Sequence, residues 1–95
     1  MIRVIVYISV GNSDDKLTQV EWCNYVVEMT ARVVAIGQPH GSWASNPVSA
    51  YQNACWCVEF RTDAEVAEAR EVATEIREKY RQDSVAWAVA ETEFI

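Results

Sequence analysis

Two short motifs of the same form, a threonine followed three residues later by a glutamate, limit the folds open to this chain of 95 residues. Thr18 and Glu21 form the first motif, and Thr62 and Glu65 form the second. In such a capping box, each side chain satisfies a backbone N–H that the first turn of a helix leaves free. Apolar residues recur at helical spacing after both motifs, so the sequence predicts one helix starting from each threonine.

Segments rich in β-branched residues surround these helices and are typical of strands. The predicted elements, in chain order, are strand 1–10, helix 18–36, strand 40–45, turn 46–50, strand 51–60, helix 63–81 and strand 85–94. This order is the split βαβ, or ferredoxin-like, arrangement, in which two helices cover one face of a four-stranded antiparallel sheet. We therefore predict a single α+β domain over residues 1–95, with the first and third strands at the centre of the sheet.

The stretch from Ala31 to Ile36 is compatible with two predictions, because its β-branched run is typical of a strand as well as of a helix. We place it in the first helix for two reasons. Gly37 followed by Pro39 is a common helix stop, and a helix that ended at Met29 would leave a long loop without structure. A helix stop at Gly37 also predicts a left-handed backbone at that residue.

Strand alternation predicts the side chains on the sheet face that the helices leave open. They are Arg3, Ile5, Tyr7 and Ser9 of the first strand, Asn53, Cys55, Cys57 and Glu59 of the third, and Val85, Trp87, Val89, Glu91 and Glu93 of the fourth. The register of the fourth strand is open, because its other side consists of alanines. A face with Tyr7 and Trp87 as neighbours is too apolar for water. We expect a second copy, in a homodimer, or another protein to cover it.

The charge of the chain argues against a nucleic-acid partner. Fourteen acidic residues outnumber eight Lys and Arg residues, the formal net charge is −6, and the basic residues are scattered. The basic, glycine-rich third-strand signature of RNA-recognition motifs is also missing. The apolar run from Val4 to Val10 is far shorter than the ~20 residues of a membrane span, and no leader pattern accompanies it. We therefore expect a cytoplasmic protein with neither nucleic-acid nor membrane partners.

Most residues with specific chemistry lie between Gly37 and Phe60. Cys55, Cys57 and His40 are spaced to reach one soft metal ion, but no fourth ligand is evident, and free cysteines pack as small hydrophobic residues. A Cys–His nucleophile is disfavoured because acidic surroundings oppose a thiolate. We predict no catalytic residue, no metal and no cofactor. The residues assigned instead to a partner-binding face or pocket are Tyr7, His40, Trp43, Asn53, Cys55, Cys57 and Trp87.

These observations favour a small acidic protein-interaction module that acts through the open face and the hairpin of residues 40–53. Such a module is suited to regulate or inhibit an enzyme by occupying its nucleic-acid groove, as an inhibitor carried by a phage or mobile element would. The alternative is an enzyme or small-molecule binder in which two sheets pack into a dimeric α+β barrel. In length and architecture the chain resembles the antibiotic-biosynthesis monooxygenase and related barrel families, without a shared motif. A purely structural homo-oligomer is a third class that the sequence does not separate from the first.

Overall fold

The computed structural model of the protein describes residues 3–46, 48–93 and 95. The strands and helices, in chain order, are β1 (Val4–Gly11), α1 (Gln19–Arg32), β2 (Gln38–Ala44), β3 (Asn53–Phe60), α2 (Asp63–Lys79) and β4 (Ala86–Ala90). One-turn 3₁₀ helices lie at Ser13–Asp15 and Val34–Ile36, on either side of α1. Neighbouring strands are antiparallel, in the order β2-β3-β1-β4. This topology confirms the predicted ferredoxin-like fold with β1 and β3 at the centre.

Both helices cover the same face of the sheet, where alternate side chains of the central strands are buried. The buried residues of this layer are Val6, Ile8 and Val10 of β1, Ala54, Trp56, Val58 and Phe60 of β3, Tyr25 and Met29 of α1, and Ala69, Ala73 and Ile76 of α2. Because side chains of a strand alternate between faces, the residues between these positions lie on the face without helices. That face is called the open face below.

Each helix begins at the threonine that the sequence indicates. The Thr18 hydroxyl accepts a hydrogen bond from the Glu21 backbone N–H at 3.2 Å, and the Glu21 carboxylate accepts one from the Thr18 N–H at 3.1 Å. At the second helix, the Thr62 hydroxyl accepts from the Glu65 N–H at 3.1 Å. The Glu65 carboxylate, however, accepts from the backbone N–H of Arg61, one residue before the cap, at 2.7 Å. In the second motif the threonine therefore caps the helix as in a capping box, but the glutamate side chain binds the backbone of Arg61 and not that of Thr62.

The stretch from Ala31 to Ile36 does not form a strand. The first helix continues through Arg32, and the backbone then tightens into the 3₁₀ turn. Gly37 is extended, with φ −99° and ψ −160°, so the predicted left-handed conformation at this residue is wrong. A Cβ on Gly37 would lie 2.6 Å from the carbonyl oxygen of Glu59. Glycine is needed here because two strands approach closely, and not because the helix ends in a left-handed turn.

The register of β4 places Trp87 on the helix-covered face. In the ladder between β1 and β4, Trp87 lies opposite Ile8, and Ala88 lies opposite Tyr7. Ile8 is buried beneath the helices, and directly opposed residues point to the same side of a sheet. The indole ring stacks on Phe60 with ring centroids 5.8 Å apart. The prediction that Trp87 lies on the open face beside Tyr7 is therefore wrong.

The inversion of the β4 register has a packing cause. Val85 and Val89 lie on the same side as Trp87, also contrary to prediction, while Ala86, Ala88 and Ala90 face the open side. The indole fills the space beside Phe60 and beneath Arg70, whose guanidinium carbon is 5.8 Å from the ring centroid. Larger apolar side chains gain more from burial than alanines do, so packing selects this register. The predicted strand residues Met1, Ile2 and Phe94 and the turn residue Pro47 lie outside the described residues.

The outward side of the helix layer is charged and crosslinked by ion pairs. Lys79 of α2 contacts Glu28 of α1 at 3.0 Å, and Arg81 contacts Glu21 at 2.8 Å. Each pair is exposed enough that it contributes at most about 1 kcal/mol. In the ranges that the structure describes, neither helix combines the length and the apolar character that crossing a membrane requires.

Candidate functional site: the open sheet face

The open face consists of three rows of side chains that run across the sheet from β4 through β1 and β3 to β2. The first row is Ala86, Ser9, Cys55 and Trp43; the second is Ala88, Tyr7, Cys57 and Gly41; the third is Ala90, Ile5, Glu59 and Gln38. In each of the first two rows one aromatic side chain stands among small neighbours. The face therefore has aromatic projections, with a shallow trough of alanines along β4.

Charge is almost absent from this face. Although 23% of the chain is charged, Glu59 is the one charged side chain in the three rows. Two aromatic residues remain accessible, since Tyr7 is 46% exposed and Trp43 is 61% exposed. Both cysteines are half-buried between them. Contact between apolar surfaces requires little desolvation of polar groups, so this face is suited to bind another apolar surface.

The structure brings Tyr7, Trp43, Cys55 and Cys57 together around a hollow of about 200 Å³. The neighbouring Cys57 side chain raises the pKa of the Tyr7 phenol, first by hydrogen bonding and then by the negative charge that its sulfur carries when ionised. A phenol whose pKa is raised keeps its proton at neutral pH, so the Tyr7 hydroxyl is available on this face as a hydrogen-bond donor. The cysteines are free thiols. Among the described residues, no three His, Cys, Asp or Glu side chains converge as metal ligands.

His40 turns away from the cysteines and contacts Glu59. A shift in the β2–β3 register between Pro39 and Gly41 places His40 in a β-bulge, which redirects its side chain. Its Nε2 lies 3.1 Å from Oε1 of Glu59, whose other oxygen accepts a hydrogen bond from Nε of Arg3 at 3.0 Å. The pKa of the Glu59 carboxyl is held below its usual range, mainly by the hydrogen bond from the Arg3 guanidinium and secondly by the one from the His40 imidazole. A single carboxylate thus orients two basic side chains at the end of the face.

This cluster borders a cavity of about 460 Å³. Gln38 and Arg61 complete its lining, together with Arg3, His40 and Glu59. The sequence placed Arg3 and Glu59 on the open face but did not connect either residue with His40. The signal that was available is the position of Glu59, a charged residue in an otherwise uncharged strand. The contact depends on the bulge, which the sequence did not indicate.

The seven residues assigned to a binding face divide into four groups. Tyr7, Trp43 and the two cysteines form the centre of the open face, and His40 lies at one end with Glu59. Asn53 lies at the opposite end of β3, where its side-chain amide donates to the Tyr51 carbonyl at 3.1 Å. Trp87 is on the other side of the sheet.

Comparisons with known proteins leave the function open. No protein-family model matches the chain. No curated protein matches it either. Among solved structures, the chain is similar to a dimeric ferredoxin-like protein from an uncultured marine organism, with 13% sequence identity, a TM-score of 0.47, and coverage of 98% of this chain and 90% of that one. The fold assignment rests on the order and direction of the four strands in this protein's own sheet.

Proposed function

We propose that this protein is a small acidic interaction module whose open face and 40–53 hairpin bind protein, in the first place a second copy of the same chain. The observation that carries the proposal is the segregation of charge. The described acidic and basic side chains lie mainly on the helix layer and the connections, whereas the three rows of the open face contain one carboxylate. A four-stranded surface with so little charge and with exposed aromatic residues is typical of a binding surface.

The size of the face supports a contribution from the hairpin. The strands are about 17 to 26 Å long and about 4.8 Å apart, so the flat area of the sheet is roughly 400 Å², not counting the surface of the projecting side chains. A standard interface buries about 800 Å² on each partner. Val48 and Tyr51, at the tip of the hairpin, are almost fully exposed and extend the apolar surface beyond the sheet. The hairpin therefore supplies area that the sheet alone lacks.

The arrangement of large and small side chains supports a second copy as the partner. A twofold axis parallel to the strands and between two stacked open faces reverses the order of the strands in the partner. Trp43, at one edge, then lies opposite the partner subunit's Ala86, at the other edge of the same row. Tyr7, next to the axis, lies opposite the partner subunit's Cys57. In both contacts a large side chain meets a smaller one, which favours close packing.

The acidic helix layer stays exposed in such a dimer. Its outward surface includes Glu68, Glu71, Glu75 and Glu78 of α2, all exposed. This surface is available to a basic partner, which supports the regulatory or inhibitory part of the proposal through charge complementarity. The three free thiols fit a reducing compartment such as the cytoplasm.

The test is the oligomeric state of Tyr7→Glu. Because Tyr7 is half-exposed on the open face, glutamate there leaves the core intact and places a charge at the centre of the proposed interface. Val27→Glu is the matched control, since Val27 is 57% exposed on α1. We expect light scattering to give about twice the chain mass of 10.8 kDa for the wild type and the control, and one chain mass for Tyr7→Glu, with unchanged circular dichroism.

Two results would contradict the proposal. A wild type that is monomeric at high concentration, and that binds no protein through this face, leaves the interface without an occupant. A Tyr7→Glu variant with the mass and the partner binding of the wild type places the interface elsewhere.

The alternative, a dimeric α+β barrel that binds a small molecule, is favoured by one observation. The cavity around Glu59 lies at the end of the open face and is lined by charged and polar groups, which differ from the apolar rows beside it. Its volume of about 460 Å³ is within the range of small-molecule sites. Saturable binding of a small molecule at residues 38–40 and 59–61 that requires the dimer, and is lost in Tyr7→Glu, would favour this function over protein binding alone.

A further inference from the structure

We propose that the cavity lined by Arg3, Gln38, His40, Glu59 and Arg61 binds the carboxylate group of a small organic monoanion. The proposal does not require the dimer, because all five residues belong to one chain. They come from the beginning of β2, the residue before β1 and the end of β3 with its following residue. The antiparallel order of the sheet brings these three points together at one end.

The charges of the lining favour an anion. Two guanidinium groups and an imidazole surround a single carboxylate, in a chain whose net charge is −6. The one carboxylate, Glu59, is 9% exposed, and both of its oxygens are engaged, by Arg3 and by His40. Among the side chains that line the cavity, positive charge therefore exceeds negative charge, against the balance of the whole chain. Local excess charge of this kind attracts ions of the opposite sign.

The hydrogen-bonding groups of the two arginines are available to a ligand. Arg3 uses Nε for Glu59, and its terminal nitrogens donate to no other residue within the described ranges. The Arg61 guanidinium forms no ion pair with any described carboxylate. A guanidinium presents parallel N–H groups that match the two oxygens of a carboxylate. Glu59 fixes Arg3 at its Nε, so less side-chain freedom is lost when the ligand binds.

The amount of charge selects a carboxylate over a phosphate. The two guanidiniums exceed the Glu59 carboxylate by one charge, which one carboxylate neutralises. A phosphate monoester carries about −1.5 to −2 at neutral pH and leaves negative charge beside Glu59 uncompensated. Gln38 adds a neutral amide that is able to donate to a ligand oxygen or accept from a ligand N–H.

The experiment is a titration of backbone amide chemical shifts with sodium acetate, butyrate and benzoate. Benzamide serves as the uncharged counterpart of benzoate, and inorganic phosphate as the competing anion. We expect saturable shifts centred on residues 38–40 and 59–61 with the carboxylates, and none with benzamide. Arg61→Gln should weaken benzoate binding on the order of tenfold, as expected for the loss of a charge-assisted contact. Arg70→Gln removes an exposed guanidinium elsewhere and should leave the affinity within about twofold.

Three outcomes overturn the proposal. They are the absence of saturable shifts at these residues, equal weakening in Arg61→Gln and Arg70→Gln, and tighter binding of phosphate than of every carboxylate. If Arg61→Gln loses its native spectrum, Gln38→Ala takes its place, because Gln38 is exposed at the cavity edge. Repeating the titration in Tyr7→Glu separates this proposal from the dimer. Binding that survives in a monomer supports the anion site whatever the state of the interface.

Discussion

Gly37 offers the strictest test of how β2 is placed against β3. Its backbone is extended, so any residue is able to adopt it, and the obstacle to a side chain is space alone. A Cβ at this position would lie 2.6 Å from the backbone oxygen of Glu59, 2.7 Å from Cγ1 of Val58 and 2.9 Å from Cδ1 of Phe60. All three distances are below the closest contacts that carbon atoms tolerate, and the nearest atom belongs to backbone inside the sheet.

The expected cost of Gly37→Ala follows from these contacts. Overpacking a well-filled core costs about 1 to 3 kcal/mol, and three simultaneous clashes with rigid or fully buried groups place this change at the upper end. Replacing glycine also restricts the unfolded chain, which offsets about 0.4 to 1 kcal/mol. We therefore expect a net loss of about 2 kcal/mol. For a domain of this size, such a loss lowers the midpoint of thermal unfolding by about 10 °C.

Gly41→Ala is the matched control, since a Cβ at Gly41 meets no atom within 4 Å. The same change of residue should there be neutral or stabilise by up to about 0.5 kcal/mol. Urea denaturation followed by circular dichroism, at one fixed protein concentration, measures both variants. A Gly37→Ala protein within about 0.5 kcal/mol of the wild type, or an equal loss in Gly41→Ala, would refute the claim that strand contact makes glycine necessary at position 37.

Three further changes test the packing and the electrostatics. Trp87→Ala should lower the free energy of unfolding by about 2 kcal/mol in urea denaturation, because the indole no longer stacks on Phe60, and it should leave the mass in solution unchanged. A variant with unchanged stability and an altered mass would instead indicate that Trp87 lies in the interface. Tyr25→Phe should stabilise by about 1 kcal/mol in thermal unfolding, because the Tyr25 hydroxyl is buried without a hydrogen-bond partner in the described structure, and a loss of stability would reveal an unseen partner. The hydrogen bond from Tyr80 holds the pKa of Glu28 below its ordinary value of 4.5, so the stability from Glu28 is complete above that pH and is lost as the pH falls. Urea denaturation at several pH values should therefore show wild type and Glu28→Gln converging in acid, and a constant difference would contradict this linkage.

The centre of the candidate site was predictable because its strands have contrasting sides. In β1, Val6 and Ile8 are buried while Tyr7 between them is accessible, and the period of two in the sequence shows this division directly. Cys55 and Cys57 follow the same rule in β3. The polar end of the face was not predictable, since the contact between His40 and Glu59 depends on a bulge and on pairing between residues 19 positions apart.

The sequence by itself determined the order of the elements and the starts of both helices. These features depend on interactions within a few residues, such as the hydrogen bond from the Glu65 N–H to the Thr62 hydroxyl. Only the tertiary structure decided the register of β4 and the role of Gly37. The fourth strand is apolar on both sides, so its own alternation carries no preference, and pairing with β1 together with the space beside Phe60 selects the face of Trp87. The spacing of Gly37 and Pro39 is typical of a helix stop. Glycine is required at position 37, however, because the backbone of Glu59 leaves no space for a side chain there, and Glu59 comes close only when the sheet forms.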